Sequence, residues 1–417
     1  MRKITVPLLL VLLALNALMV PAAGSGIESG DLPGTLGGLP AGSTLAVTEP
    51  GPMVEAEAGT TLGPFVSYED LEAGWRAAWA KRAPARVHVR GIYLTGYTAG
   101  HRERFEELLR LVDETELNAM VIDIKDDWGK ITYRSDVADA VAAGAVEGKI
   151  QDIDQLLRTL RQKNIYPIAR IVTFKDPAIV RTRPELAVRN TAGEIWRDRT
   201  GAAWLDPYNR ETWEYNLAIA REAALKGFRE IQFDYVRFPS DGPVRTIVYP
   251  KYDGRGRADV IADFLTYAHK ELEPYHVFVS ADIFGLITSV SDDQGIGQVL
   301  EKLAGGVDYL SPMVYPSHYA LGTFGLPDPD AAPYETVFRS LADAARRLGE
   351  DRKLILRPWL QDFSLRNRYG PGEIKSQIRA VEDLGLKEWL LWNAANDYSE
   401  EGLRKAPADT RPGPIPN

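Results

Sequence analysis

No cysteine occurs in the 417 residues, which removes a disulfide framework, a thiolate metal site and a cysteine nucleophile together. Lipid attachment through an N-terminal cysteine goes with them. Histidine is scarce as well. The five present never fall in HxxxH or HxH spacing, so no histidine-based metal centre is expected. There is no run of basic residues, and the formal net charge is −9, which speaks against nucleic acid or an anionic membrane surface as partner. Nor does a GxGxxG follow the first strand-like stretch, so a dinucleotide site is not expected. Neither a metal nor an organic cofactor is called for by anything in the chain.

What is present reads as an exported globular enzyme. Hydrophobic residues make up 45% and charged residues 26%, an ordinary globular balance. Residues 1–23 have the pattern of a signal peptide: basic Arg2 and Lys3, an apolar run from Ile4 to Val20, then small residues after Pro21. An uncleaved membrane anchor is the other reading of that run, and it would be the chain's one tie to a membrane. Residues 24–64, rich in Gly, Pro, Ala, Thr and Ser, hold too little apolar surface to order themselves and read as a flexible linker. A folded domain is then expected over 65–408, opening with a short helix from Tyr68 to Lys81 that carries Trp75 and Trp79.

Within that domain strand-like and helical runs alternate. The pattern predicts strands over Val87–Leu94, Ala119–Ile124, Tyr166–Phe174, Glu230–Phe238, His276–Phe284, Asp308–Tyr315, Lys353–Leu360 and Glu388–Trp392. Amphipathic helices fall between them, among them Glu103–Glu116, Ile150–Lys163, Arg210–Lys226, Asp259–Leu272, Ile296–Leu303, Glu335–Leu348 and Glu373–Leu384. The strands are near-continuously apolar, as parallel strands covered on both faces are. Eight such units predict an α/β fold, a (β/α)8 TIM barrel with loop insertions, rather than an open doubly wound sheet.

A barrel of this kind gathers its chemistry at the carboxyl ends of the strands. Read in order, those ends supply Tyr93, Asp123 with Lys125 and Trp128, Arg170, Asp234 with Arg237, Asp282, Tyr315 with His318, Arg357 with Trp359, and Trp392 with Asn393. Carboxylates, arginines and aromatic rings suit carbohydrate, because rings stack on the apolar face of a sugar while acids and amides bind its hydroxyls. A pair of carboxylates across a glycosidic bond supplies a general acid and a nucleophile or base. Asp234 and Asp282, at matching depth on neighbouring strands, are the expected pair. Each residue also has a plainer reading. Asp234 with Arg170 or Arg237 is equally a buried structural ion pair, and Trp359 and Trp392 are sugar platforms or barrel packing. Asp123 and Lys125 are assigned to one strand face, for substrate or for structural pairing. Asp126 and Asp127 are placed in a solvated loop, with a metal role as the alternative.

Several stretches resemble a bacterial glycoside hydrolase family of unknown specificity, exported and built on the TIM barrel. They are Gly91-Ile-Tyr-Leu-Thr95, Val121-Ile-Asp-Ile-Lys-Asp-Asp-Trp-Gly129, Leu205-Asp-Pro-Tyr208, Trp213-Glu-Tyr-Asn-Leu-Ala-Ile-Ala220, Glu230-Ile-Gln-Phe-Asp-Tyr-Val-Arg-Phe-Pro239 and Ser311-Pro-Met-Val-Tyr-Pro316. The resemblance covers roughly Val87 to Asp397. More distantly, an acid closing the fourth strand is similar to that of α-amylase-like and α-galactosidase-like enzymes, which implies a nucleophile at Asp234. The fifth-strand acid would then be Asp282, where α-amylases usually carry Glu. On this reading Asp234 and Asp282 are catalytic. Asp123, Lys125, Trp128, Arg170, Arg237, Tyr315, His318, Arg357, Trp359, Trp392 and Asn393 bind a polysaccharide or envelope glycan. A glycan-binding barrel without catalysis and a metal-dependent deacetylase are the competing readings.

Overall fold

The computed structural model of the protein describes residues 86–406. The proposed signal peptide (1–23), the linker (24–64) and the Tyr68–Lys81 helix lie outside the described residues.

Eight parallel strands close into a barrel: β1 (Arg90–Leu94), β2 (Ala119–Lys125), β3 (Tyr166–Val172), β4 (Glu230–Asp234), β5 (Phe278–Phe284), β6 (Tyr309–Met313), β7 (Trp359–Gln361) and β8 (Trp389–Trp392). Each pairs with the next in sequence, and β1 closes the ring by pairing with both β2 and β8. Helices α1 (Arg102–Glu114), α2 (Ile153–Gln162), α3 (Arg210–Lys226), α4 (Arg257–Leu272), α5 (Leu300–Leu303), α6 (Pro333–Leu348) and α7 (Pro371–Asp383) alternate with the strands. The chain is a (β/α)8 barrel. Every residue of β2, β3 and β4 is buried, because helices cover the outer face and side chains fill the inner one.

The helix α3 occupies the span its sequence predicts. The Asn209 side chain accepts the Glu211 N–H at 3.0 Å to open it. Gly227 closes it in the left-handed region at φ 112°, where a side chain would be strained. That turn delivers the chain into β4. The strand β4 then stops at Asp234, four residues earlier than the apolar run suggests, because Tyr235 itself takes a positive φ of 47°.

Inside the barrel the side chains form stacked layers. Tyr166, Phe278 and Tyr309 fill the amino-terminal end, and Val121, Ile168 and Leu390 are also part of the interior cluster, which extends to Tyr93, Trp359 and Tyr315. The main insertions ride on the loop after β2, where Ile131–Tyr133 and Val146–Ile150 extend the sheet, and on the loops after β3 and β4, where Arg189–Asn190 of the first pairs with Ile247–Val248 of the second.

Two expectations about strands fail here. The seventh strand was expected over Lys353–Leu360, but Lys353–Ile355 is a 3-10 turn and the strand runs only from Trp359 to Gln361. In β2 the register slips between Asp123 and Lys125, so the two do not share a face.

Candidate active site

The carboxyl end of the barrel is organised around one buried arginine. Arg170, on β3 and 1% exposed, reaches carboxylates on two flanking strands. Its Nη1 donates to Asp123 Oδ1 at 2.6 Å, and its Nε and Nη2 donate to Asp234 Oδ2 at 2.9 and 2.5 Å. Asp127 approaches the same guanidinium at 3.7 Å. Asp127, in the loop after β2 with its side chain 36% exposed, is therefore at the mouth of the site.

The other oxygens are also accounted for. Tyr93 donates its hydroxyl to Asp123 Oδ2 at 2.5 Å. The backbone N–H of Tyr235 donates to Asp234 Oδ1 at 2.6 Å. The positive φ at Tyr235 thus turns the chain off β4 and brings its own amide back onto the carboxylate, a strained residue at the centre of the site. Asp282, on β5, accepts the Trp359 indole N–H at 2.7 Å. Its second oxygen takes no protein hydrogen bond among the described residues.

Register puts Asp234 and Asp282 level. Gln232 and Phe233 pair with Ser280 and Ala281, so the next step sets the two acids side by side on adjacent strands. Neighbouring strands lie about 4.8 Å apart. Two buried carboxyls on neighbouring strands that feel each other's charge do not both ionise readily. Burial first, then the charge of Asp234, push the Asp282 carboxyl well above the usual range, with the Trp359 N–H only partly opposing. Burial also pushes Asp123 up to about 6, against the pull of Arg170. Arg170 is held charged by Asp123 and Asp234 despite its own burial. The arrangement offers one acid whose burial favours its protonated form beside one carboxylate locked in an ion pair.

Aromatic groups frame the cluster. Trp392 is half-buried, stacks on Tyr93 with ring centroids 4.0 Å apart, and has the Arg170 guanidinium 5.2 Å over its ring. Trp359 meets it edge-on at 5.4 Å. Tyr315 is buried and packs edge-on against His318 and Phe363. His318 is half-buried and pushed down to about 4, by burial first, so it is neutral at neutral pH. Trp128 stands 45% exposed on the loop after β2. Arg237 lies in the loop after β4 and is 7% exposed.

Three residues picked as substrate ligands are placed elsewhere or otherwise engaged. Lys125 points away from the barrel interior because of the β2 bulge. It is wholly buried, 2.7 Å from Asp176 and 2.8 Å from the Asn216 amide oxygen. Arg357 precedes the short β7 and lies at the opposite end of the barrel, bonded to Glu230 and Glu388 and stacked 3.6 Å from the Tyr309 centroid. The Asn393 amide spends its donors on the Asp362 and Asp397 carbonyls and its oxygen on the Ala395 N–H, which shapes the loop after β8.

Two groups escaped the sequence reading. Tyr93 reads from sequence only as a strand end, although it clamps Asp123. Asp362, one residue past β7, is 8% exposed, has a carboxylate oxygen with no hydrogen-bond partner among the described residues, and is pushed up to about 7, chiefly by burial. An acid immediately after a strand was the available signal for it. Among the described residues no three His, Asp or Glu side chains converge as a metal site requires; Arg170 fills the space between the carboxylates.

Residues 91–398 match the family described as "Putative glycosyl hydrolase domain". The chain belongs to that family. It is an enzyme of the glycosyl hydrolase class on the TIM-barrel scaffold. A hypothetical protein from Ruminiclostridium thermocellum is 42% identical, over 46% of this chain and 96% of that one, with a TM-score of 0.43. The PgaB (BpsB) glycoside hydrolase domain from Bordetella bronchiseptica has the same fold, at TM-score 0.53 and 12% identity over 74% of this chain and 94% of its own. An α-galactosidase from Thermus thermophilus, solved with stachyose, aligns at TM-score 0.48 and 15% identity over 78% of this chain and 66% of its own. No curated protein matches the chain.

Proposed function

We propose that the protein is an exported glycoside hydrolase that cleaves a polysaccharide or cell-envelope glycan with Asp234 and Asp282. The observation carrying this reading is the pairing of unlike acids at one level on adjacent strands. Asp234 is tied to Arg170, while burial pushes Asp282 toward its protonated form. In this reading Asp234 attacks the anomeric carbon. Asp282 gives its proton to the leaving oxygen and later takes one from water. Tyr93, Asp123 and Arg170 hold the nucleophile in place, and Trp392 with Tyr315 receives sugar rings. The strand spacing of about 4.8 Å favours the close separation, about 5–5.5 Å, of enzymes that retain anomeric configuration. The proposal of export rests on the signal-like composition of residues 1–23.

The test is reducing-end release from a panel of polysaccharides and purified envelope glycans, with wild type, Asp234→Asn and Asp282→Asn compared at equal folded concentration. Asp234→Asn is expected to lose at least about 10⁴-fold in kcat. Release that survives Asp234→Asn would remove it from the mechanism. Silence of the wild type on every glycan, with binding retained, would favour a binding barrel.

A further inference from the structure

The loop after β4 carries a second charged feature that the cleavage chemistry does not use. Arg237 is 7% exposed, yet no carboxylate lies within ion-pair distance of it among the described residues. Its guanidinium is enclosed by rings instead, 4.9 Å from the centroid of Trp204, 5.1 Å from Tyr235 and 4.7 Å from Phe284. The Nη1 donates to the Phe238 carbonyl and the Ser240 hydroxyl, both at 3.0 Å. A second cation, half-buried Lys175 from the loop after β3, sits 5.0 Å from the same Tyr235 ring and likewise has no ion-pair partner among the described residues. Other acids act on Arg237 only from a distance, chiefly Asp234, Asp241 and Asp198.

A buried charge without a counter-ion is costly, and ring faces offset only part of that cost. The other buried cations among the described residues are paired: Arg170 with Asp123 and Asp234, Arg357 with Glu230 and Glu388, Lys125 with Asp176. Arg237 is the departure, and its position is telling. Tyr235 follows Asp234 directly, and Phe284 lies two residues beyond Asp282. The unpaired cations therefore stand beside the two acids, on the same end of the barrel.

We infer that Arg237 and Lys175 form an anion subsite, and that the glycan cleaved here carries an anionic group on the sugar bound next to Asp234 and Asp282. The planar guanidinium takes a carboxylate or phosphate through two parallel N–H donors, with the Lys175 ammonium as a second point charge. A uronic acid and a phosphorylated sugar share that chemistry. The word glycan rests on the glycosidase reading; the anion subsite is measured without it.

The experiment titrates glucuronate, glucose 6-phosphate and glucose into the full-length protein by calorimetry, in wild type, Arg237→Gln, Arg237→Lys and Lys175→Gln, each checked for native near-UV circular dichroism. One of the anionic sugars is expected to bind wild type about 10- to 100-fold more tightly than glucose. That preference should vanish in Arg237→Gln, fall in Lys175→Gln and return partly in Arg237→Lys, and the tighter of the two anions names the source of the charge. Equal binding of all three sugars, or no binding of either anion, overturns the inference, as does a preference untouched by both Arg237 and Lys175 substitutions. A failed glycan panel with the anion preference intact would count against hydrolysis and leave the subsite standing.

Discussion

The two ends of this barrel each hold a buried arginine among carboxylates, and they are built differently. At the amino-terminal end Arg357 meets Glu230 and Glu388, with Ser280 donating to Glu230 at 2.6 Å and Tyr309 stacked beneath the guanidinium. At the carboxyl end Arg170 faces Asp123, Asp234 and Asp127, and Asp282 adjoins them. Arg170 is the one cation in ion-pair contact with these acids, while Arg237 and Lys175 stand nearby outside ion-pair distance. Burial first, and the neighbouring carboxylates Asp127 and Asp234 after it, push Asp123 and Asp282 upward. A structural ion cluster can be closed and filled in by tyrosine. A reacting one keeps unlike protonation states side by side and an open aromatic wall at Trp392.

Replacing each arginine in turn gives the largest separation. Arg170→Met should remove activity by at least about 10³-fold per folded molecule, because it frees Asp234 and Asp123 together. Arg357→Met should lower stability to urea by about 3–5 kcal/mol, leaving Glu230 buried and unpaired, with kcat of the folded fraction unchanged. Equal activity losses in the two variants would erase the distinction drawn between the ends.

The proton on Asp282 sharpens it next. Because burial and Asp234 push the carboxyl upward, the acid form persists above the usual carboxylate range, and kcat should fall on the alkaline side as that proton leaves. Asp282→Asn should cost about 10²–10⁴-fold and abolish this alkaline limb. An alkaline limb that persists in the variant would assign the acid elsewhere, with Asp362, pushed up to about 7, the next residue to replace.

The smallest effect concerns stability. Asp123 is pushed up to about 6 from an ordinary 3.8, so the folded state holds its proton more tightly than the unfolded chain. Its contribution is fully present below about pH 4 and is lost as pH rises through about 6. Compared with Asp123→Asn by urea unfolding, wild type should therefore lose roughly 2–3 kcal/mol of relative stability across that window. A difference that grows with pH would mean that Arg170 dominates burial at Asp123.

The same contrast marks what could be read from sequence. The eight apolar runs, the helix Arg210–Lys226 and its closing Gly227 follow from periodicity and turn chemistry alone, and they place Asp234 and Asp282 on neighbouring strands. The sorting of the other polar residues does not follow. Lys125 reads as a partner of Asp123 until a single bulged position, Ile124, turns it toward Asp176 and Asn216. Arg357 reads as a strand-end residue until β7 proves to begin only at Trp359, which sends it to the far end. Alternation along a strand assigns faces only while the register is unbroken, and strand length sets which end a side chain reaches. Both are decided by pairing partners distant in the chain.

The most direct measurement of the account is covalent trapping. A panel of 2-fluoro glycosyl fluorides would be incubated with the protein, and the labelled peptide identified by mass spectrometry. A stoichiometric adduct on Asp234 is expected, because its level pairing with Asp282 fits the retaining separation. An adduct on another residue, or inverted product from an active enzyme, would contradict it.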